Sequence, residues 1–174
     1  ALEAAATAAP DQYYGIRAAQ IAATTWPSPT TEPPAARPTV DPDEQPEVET
    51  WLADWLELEE SANLSDLSPS LTADTRRQRG VELWKVGRFR EAKVELEALR
   101  SDTYASPLDQ YQLALAYADL GLYRSSILCA QRVINLSPVT ATLEAPPAVL
   151  RLAYPRYYQD LVLENARRTG LEPY

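Results

Sequence analysis

Histidine and methionine are absent from this 174-residue chain, and cysteine occurs once, as Cys129. Without histidine there is no Ser-His or Cys-His nucleophile pair, in which an imidazole takes the proton of the attacking group. A transition-metal site built from imidazole and thiolate is equally poorly served, so no metal is expected. The lone cysteine excludes an intrachain disulfide. It falls among Leu128, Val133 and other apolar residues on a helical face, where it reads as buried filler. The missing Met implies that Ala1 is not a translation start, and the Ala-rich beginning carries no helix cap. The sequence therefore reads as a piece of a longer chain, with any signal peptide upstream. No apolar run approaches the ~20 residues that a bilayer-spanning helix needs. Glycine is scarce, five in all, while Ala and Leu are abundant, which favours helices over sheets.

Positive charge is missing from one long stretch. Residues 41–74 hold eleven Asp and Glu and no Lys or Arg, and the rest of the chain, with 14 acidic against 16 basic residues, is close to neutral. Nucleic acid requires a basic patch and is not an expected partner. A solvated acidic helix with its linker accounts for the stretch.

What is present is a repeat. The offset from Gly87 to Gly121 also takes Gly80 to Ala114, Leu83 to Tyr117, Phe89 to Tyr123 and Ala92 to Ser126. A small residue, then Gly, an aromatic and another small residue, recurring at this period, is the tetratricopeptide helix-turn-helix signature. The small residues let two helices approach at their crossing. Each Gly reverses the chain in a left-handed conformation. Phe89 and Tyr123 are expected to plug the groove between the helices. The second copy ends at Ser137-Pro138, whereas the first has Tyr104 in place of that Pro.

The predicted fold class is all-α, a helix-turn-helix solenoid with tandem tetratricopeptide-like repeats. Residues 1–25 read as one more hairpin of the solenoid, with helices over 2–9 and from Tyr13 to about Thr25, the second capped by Asp11. Residues 26–46 are a Pro-rich linker in which Trp26 is expected to be packed. Residues 47–70 form an acidic helix and loop; Val48, Trp51, Leu52, Trp55, Leu56 and Leu58 make its apolar, core-facing side. Residues 71–138 hold the repeats, with helices over 71–86, 89–101, 106–120 and 123–135. Residues 139–174 begin with a loop to Glu144, followed by a helix opened at Pro146-Pro147 and a last helix ended by Gly170.

Both ends carry a further pattern. Ala153-Tyr154-Pro155-Arg156-Tyr157-Tyr158, then Val162, Ala166 and Gly170-Leu171-Glu172-Pro173, resembles the junction ahead of the catalytic domain in soluble lytic transglycosylases. There a Tyr-Pro and a further Tyr precede a helix, and a Gly-Leu-x-Pro turn opens a lysozyme-like domain. Tyr13-Tyr14-Gly15 is similar to the Tyr-Tyr-Gly element of the same family's helical superhelix. The acidic, Pro-rich part from Trp26 to Ser70 has no counterpart in the resemblance.

The resemblance implies an extracytoplasmic enzyme that cleaves the bond between N-acetylmuramic acid and N-acetylglucosamine in peptidoglycan, leaving a 1,6-anhydro ring. One Glu, in a Glu-Ser context beyond the Gly-Leu-x-Pro turn, acts as acid and then base without metal or cofactor, unlike the two-carboxylate glycosidases. Glu172 lies in the turn itself, so no catalytic residue is assigned within this chain. The implied role is the helical scaffold. Its partners would be glycan strands bound by the full-length protein, its own catalytic domain and cell-wall proteins. Tyr13, Tyr14, Gly15, Tyr154, Pro155, Tyr158, Gly170 and Pro173 are the family-motif residues, structural or docking in kind. The alternative is a tetratricopeptide adaptor that holds a protein segment in its concave groove. Tyr154, Tyr157 and Tyr158 could stack on sugars, but packing of the last helices is the preferred reading. Glu59-Glu60 reads as solvated surface, and Arg167-Arg168 as complementing a helix dipole.

Overall fold

The computed structural model describes residues 2–10, 12–23, 43–58 and 63–171. All regular structure among them is helical. The helices are α1 (Leu2–Ala8), α2 (Tyr13–Ala23), α3 (Gln45–Leu56), α4 (Pro69–Ala73), α5 (Thr75–Lys85), α6 (Phe89–Asp102), α7 (Pro107–Asp119), α8 (Tyr123–Leu136), α9 (Pro147–Ala153) and α10 (Gln159–Thr169). A single 3-10 turn spans Thr142–Glu144, where the sequence suggests only loop. Asp11, Trp26, nearly all of the Pro-rich linker, and Glu59-Glu60 lie outside the described residues.

Two of the predicted helices end or break differently, for local reasons. The helix expected over 71–86 is two helices, because Asp74 is extended and its Oδ1 accepts the Arg76 N–H at 2.8 Å, which caps α5. A residue whose side chain satisfies an orphan N–H competes with the continuous helix. The acidic helix stops at Leu56, because Glu57 turns left-handed (φ 53°) and the Leu58 N–H bonds back to the Ala53 carbonyl. Leu58 is therefore exposed and not part of the apolar side.

The sequence period reappears as geometry. Helices α5 and α7 end at Lys85 and Asp119, while α6 and α8 run Phe89–Asp102 and Tyr123–Leu136, each pair in step. Gly87 and Gly121 have φ of 78° and 77°. After each of them the next N–H reaches back by the same bond, Arg88 to the Leu83 carbonyl and Leu122 to the Tyr117 carbonyl, both at 2.8 Å. Helix α5 packs on α6, α7 on α8, and α8 on α9. The crossing residues Gly80, Ala92, Ala114 and Ser126 are all buried, and the Ser126 hydroxyl donates to the Ala114 carbonyl at 2.7 Å. Of the two aromatics that follow the glycines, Phe89 behaves differently from the expectation. Phe89 is 52 % exposed and stands edge-on against Trp84 (4.6 Å between centroids), so it shields that indole instead of filling the groove.

A third, partial copy follows that the sequence pattern does not announce. Helix α9 ends at Ala153, one full period after Asp119, and Ala148 is buried at the place of Gly80 and Ala114. Tyr157 falls at the place of Tyr123 and stacks on it, 4.0 Å apart with 27° between the planes. In this copy Pro155 stands where Gly87 and Gly121 stand. The proline ring locks φ on the negative side and cannot take their left-handed turn. Accordingly α10 does not lie along α9 as α6 lies along α5.

One core joins the helices from α3 to α9. Leu96 and Leu99 of α6, Leu113 and Tyr117 of α7, Cys129 and Val133 of α8, and Val149 and Leu152 of α9 are fully buried in it, with Val48 and Leu52 of α3. Helix α7 carries two working faces. Tyr117 donates to the Leu96 carbonyl at 2.7 Å and Gln110 to the Arg100 carbonyl at 3.0 Å, both toward α6. Tyr111 and Gln112 instead meet the 63–68 loop: Gln112 accepts the Ser68 N–H at 2.8 Å and donates to the Leu64 carbonyl at 3.1 Å. Ser65, 3.3 Å from the Tyr111 hydroxyl, also donates to Glu49 of α3 at 2.7 Å. The acidic segment is thereby packed against α9 through α3, shares the core through Val48 and Leu52, and is held to α7 by polar bonds from the 63–68 loop.

Candidate functional site

The motif residues at the start of the chain divide into one structural and two surface positions. Gly15 sits so close to the end of α1 that a Cβ would lie 1.7 Å from the Ala9 carbonyl oxygen, so only glycine permits this contact. Tyr13 and Tyr14 are 71 % and 80 % exposed and touch only edge to face, 5.2 Å apart.

At the other end Tyr154 and Pro155 form the turn after α9, and Tyr158 precedes α10. Gly170 ends α10 in the left-handed conformation (φ 68°), with its N–H and that of Leu171 both returning to the Ala166 carbonyl. Pro173 lies outside the described residues. The packing role expected of the three tyrosines holds only for Tyr157. Its ring is covered by Tyr123, and burial raises the pKa of its hydroxyl, which faces Ser126 without completing a hydrogen bond. Tyr154 and Tyr158 are both more than half exposed. Among the described residues, no hydrogen bond or ring contact joins Tyr13 or Tyr14 to Tyr154 or Tyr158.

The titratable groups are set for structure. Among the described residues, each carboxyl that departs from its ordinary value goes down. For Asp74 the chief cause is the Arg76 guanidinium, joined by backbone N–H groups, which hold it at about 2. Glu91 is lowered by Arg88, and Glu144 by the Thr140 and Ala141 N–H groups and the Thr140 hydroxyl. Burial alone would raise Glu97, but the Ser125 hydroxyl at 2.5 Å and Arg100 at 2.8 Å outweigh it. An acid catalyst needs the reverse, a carboxyl kept protonated by an apolar cleft. Burial pushes the Cys129 thiol up to about 12, which makes it a poor nucleophile, as its reading as filler requires.

An open cleft of about 700 Å³ lies where α3 faces the 3-10 turn and the start of α9. Trp51, Leu143, Leu150 and three prolines form its apolar lining, and Glu47, Asp54 and Glu144 supply carboxylates. Trp51 leans on Trp55, centroids 5.4 Å apart. Its place in the apolar stripe predicts a core residue; it is half-buried, with part of its surface in the cleft. The spacing of Glu47, Trp51 and Asp54, which puts all three on one helical side, is the signal in the sequence for this cleft.

No protein-family model, curated protein or solved structure matches the chain.

Proposed function

We propose that the chain is the helical scaffold of a peptidoglycan lytic transglycosylase, a tetratricopeptide-like solenoid placed ahead of the domain that would carry the chemistry. The observation that carries this reading is where the motif residues fall. Tyr154-Pro155 coincides with the third inter-helix turn of the repeating series, and Gly170 caps the helix after it. A Tyr-Pro, a helix and a Gly-Leu turn thus follow the last repeat in the order the resemblance requires. Gly15, forced by contact with Ala9, supports the same reading at the other end.

The test is twofold. Coding sequence continuing past Tyr174 into a helix with Glu-Ser supports the reading, and a stop codon there ends it. The purified chain, incubated with peptidoglycan, should release no 1,6-anhydromuropeptides by mass spectrometry. Turnover abolished by changing a Glu within these residues would overturn the scaffold role.

The adaptor reading rests on the same helix pairs. It is weakened by what already covers α7: in a tetratricopeptide-like array the first helices of the pairs line the groove, and here Tyr111 and Gln112 are taken by the 63–68 loop.

A further inference from the structure

The cleft between α3 and the 3-10/α9 corner has a feature the scaffold role does not use. We infer that it is a docking groove for an extended peptide of a partner protein that carries two Lys or Arg residues three apart with an apolar residue between them.

Charge and spacing define the occupant. Glu47 and Asp54 have no hydrogen-bond or ion-pair partner among the described residues, although both line the cleft. Glu144 is charged as well, its oxygens held by Thr140 and Ala141. The nearby cation on α9, Arg151, is engaged by Glu44. The cleft therefore presents uncompensated negative charge above an apolar lining, which concentrates a cationic ligand.

Glu47 and Asp54 are two helical turns apart on one side of α3, about 10 Å at 1.5 Å per residue. That distance is too great for both carboxylates to bind one metal ion, whose oxygen ligands lie within about 2.6 Å of it. It matches residues i and i+3 of a peptide extended as a polyproline II helix, which returns to the same face every three residues and rises about 9 Å over that step at 3.1 Å per residue. Between the two acids lies Trp51, whose ring can take either an aliphatic side chain or the stem and head of a cation. Leu143, 62 % exposed, stands on the facing wall and has no other described role. Prolines 46, 146 and 147 stiffen the walls, so the groove needs little ordering on binding.

The probe is the hexapeptide acetyl-Leu-Lys-Leu-Pro-Lys-Leu-amide, titrated calorimetrically into the chain at low salt and again at physiological salt. Saturable one-to-one binding, weakened by salt, is expected. The double variant Glu47→Gln/Asp54→Asn, which changes two exposed side chains and should melt as the parent does, should bind at least tenfold more weakly. Replacing the three Leu of the peptide by Gly should cost a similar factor. The inference is overturned by any of three results: no saturable binding up to millimolar peptide, equal binding by the double variant, or equal binding of the Gly peptide or of spermidine. The last would mean a general polycation surface. These outcomes are independent of whether the chain serves a transglycosylase.

Discussion

Gly80 of α5 and Leu96 of α6 fill one space between them: a methyl group on Gly80 would lie 2.6 Å from Leu96 Cγ and 2.8 Å from its Cδ2. One period further on, the corresponding pair is Ala114 and Ala130, both buried, so a Gly–Leu pair in one copy is exchanged for Ala–Ala in the next. The volume is shared differently while the helix crossing is kept. Gly80→Ala should destabilise by about 1–3 kcal/mol through overpacking, offset in part by better helix propensity. Leu96→Ala should cost about 2–5 kcal/mol through the cavity it leaves. Urea unfolding of both single variants and the double variant should show that the double loses clearly less than the sum. Strict additivity would mean that the two side chains do not share this space.

Ala92 is fully buried on the α6 side of the same crossing, with its carbonyl 3.4 Å from the position of that Cβ. Ala92→Trp should unfold the chain or lower its stability by several kcal/mol, on the order of the worst overpacking cases. Helicity by circular dichroism and the urea midpoint check this. An unchanged midpoint would show that the crossing can open.

Asp74 gives a pH dependence with a definite sign. Its folded pKa, about 2, lies below the ordinary 3.8, so its contribution is complete above about pH 4 and is lost as pH falls toward 2. The parent protein should therefore lose stability across that window faster than Asp74→Asn, which keeps a capping oxygen but cannot titrate. The difference between the two unfolding curves, measured from pH 6 to 2, isolates this group from the other carboxyls. At neutral pH Asp74→Ala should cost about 1 kcal/mol for the lost cap. A difference that stays flat with pH would remove Asp74 from the acid response.

Cys129 is shielded by the core and its thiol is pushed up to about 12. At pH 8 it should remain unlabelled by Ellman's reagent on the minute scale and react stoichiometrically once urea unfolds the chain. Rapid labelling of the folded protein would place Cys129 at the surface.

How much of this is legible depends on the range of the interaction. The two matched helix pairs, their glycine turns and their small crossing residues can be read directly, because two copies of one local solution appear side by side in the sequence. The third copy is hidden because Pro155 replaces the Gly that marks the other turns. Its register survives only in Ala148, Tyr157 and the end of α9. Phe89 is misplaced by the pattern because an aromatic at that offset is the same letter whether it enters a groove or covers Trp84.

The sequence by itself determined that the chain is helical, where most helices begin and end, and which residues must be small at the first two crossings. Capping bonds, left-handed turns and helical periodicity act over a few residues, so they are written in the order of the chain. Only the tertiary structure decided that the acidic segment packs onto α7 and α9, that Tyr157 covers Tyr123, and that Trp51 borders a cleft. Those contacts join residues far apart in the chain, Tyr123 with Tyr157, Ser68 with Gln112 and Glu44 with Arg151. Which partner each apolar face takes is set by the shape of the whole core, because apolar burial rewards removal from water and is indifferent to the identity of the neighbour.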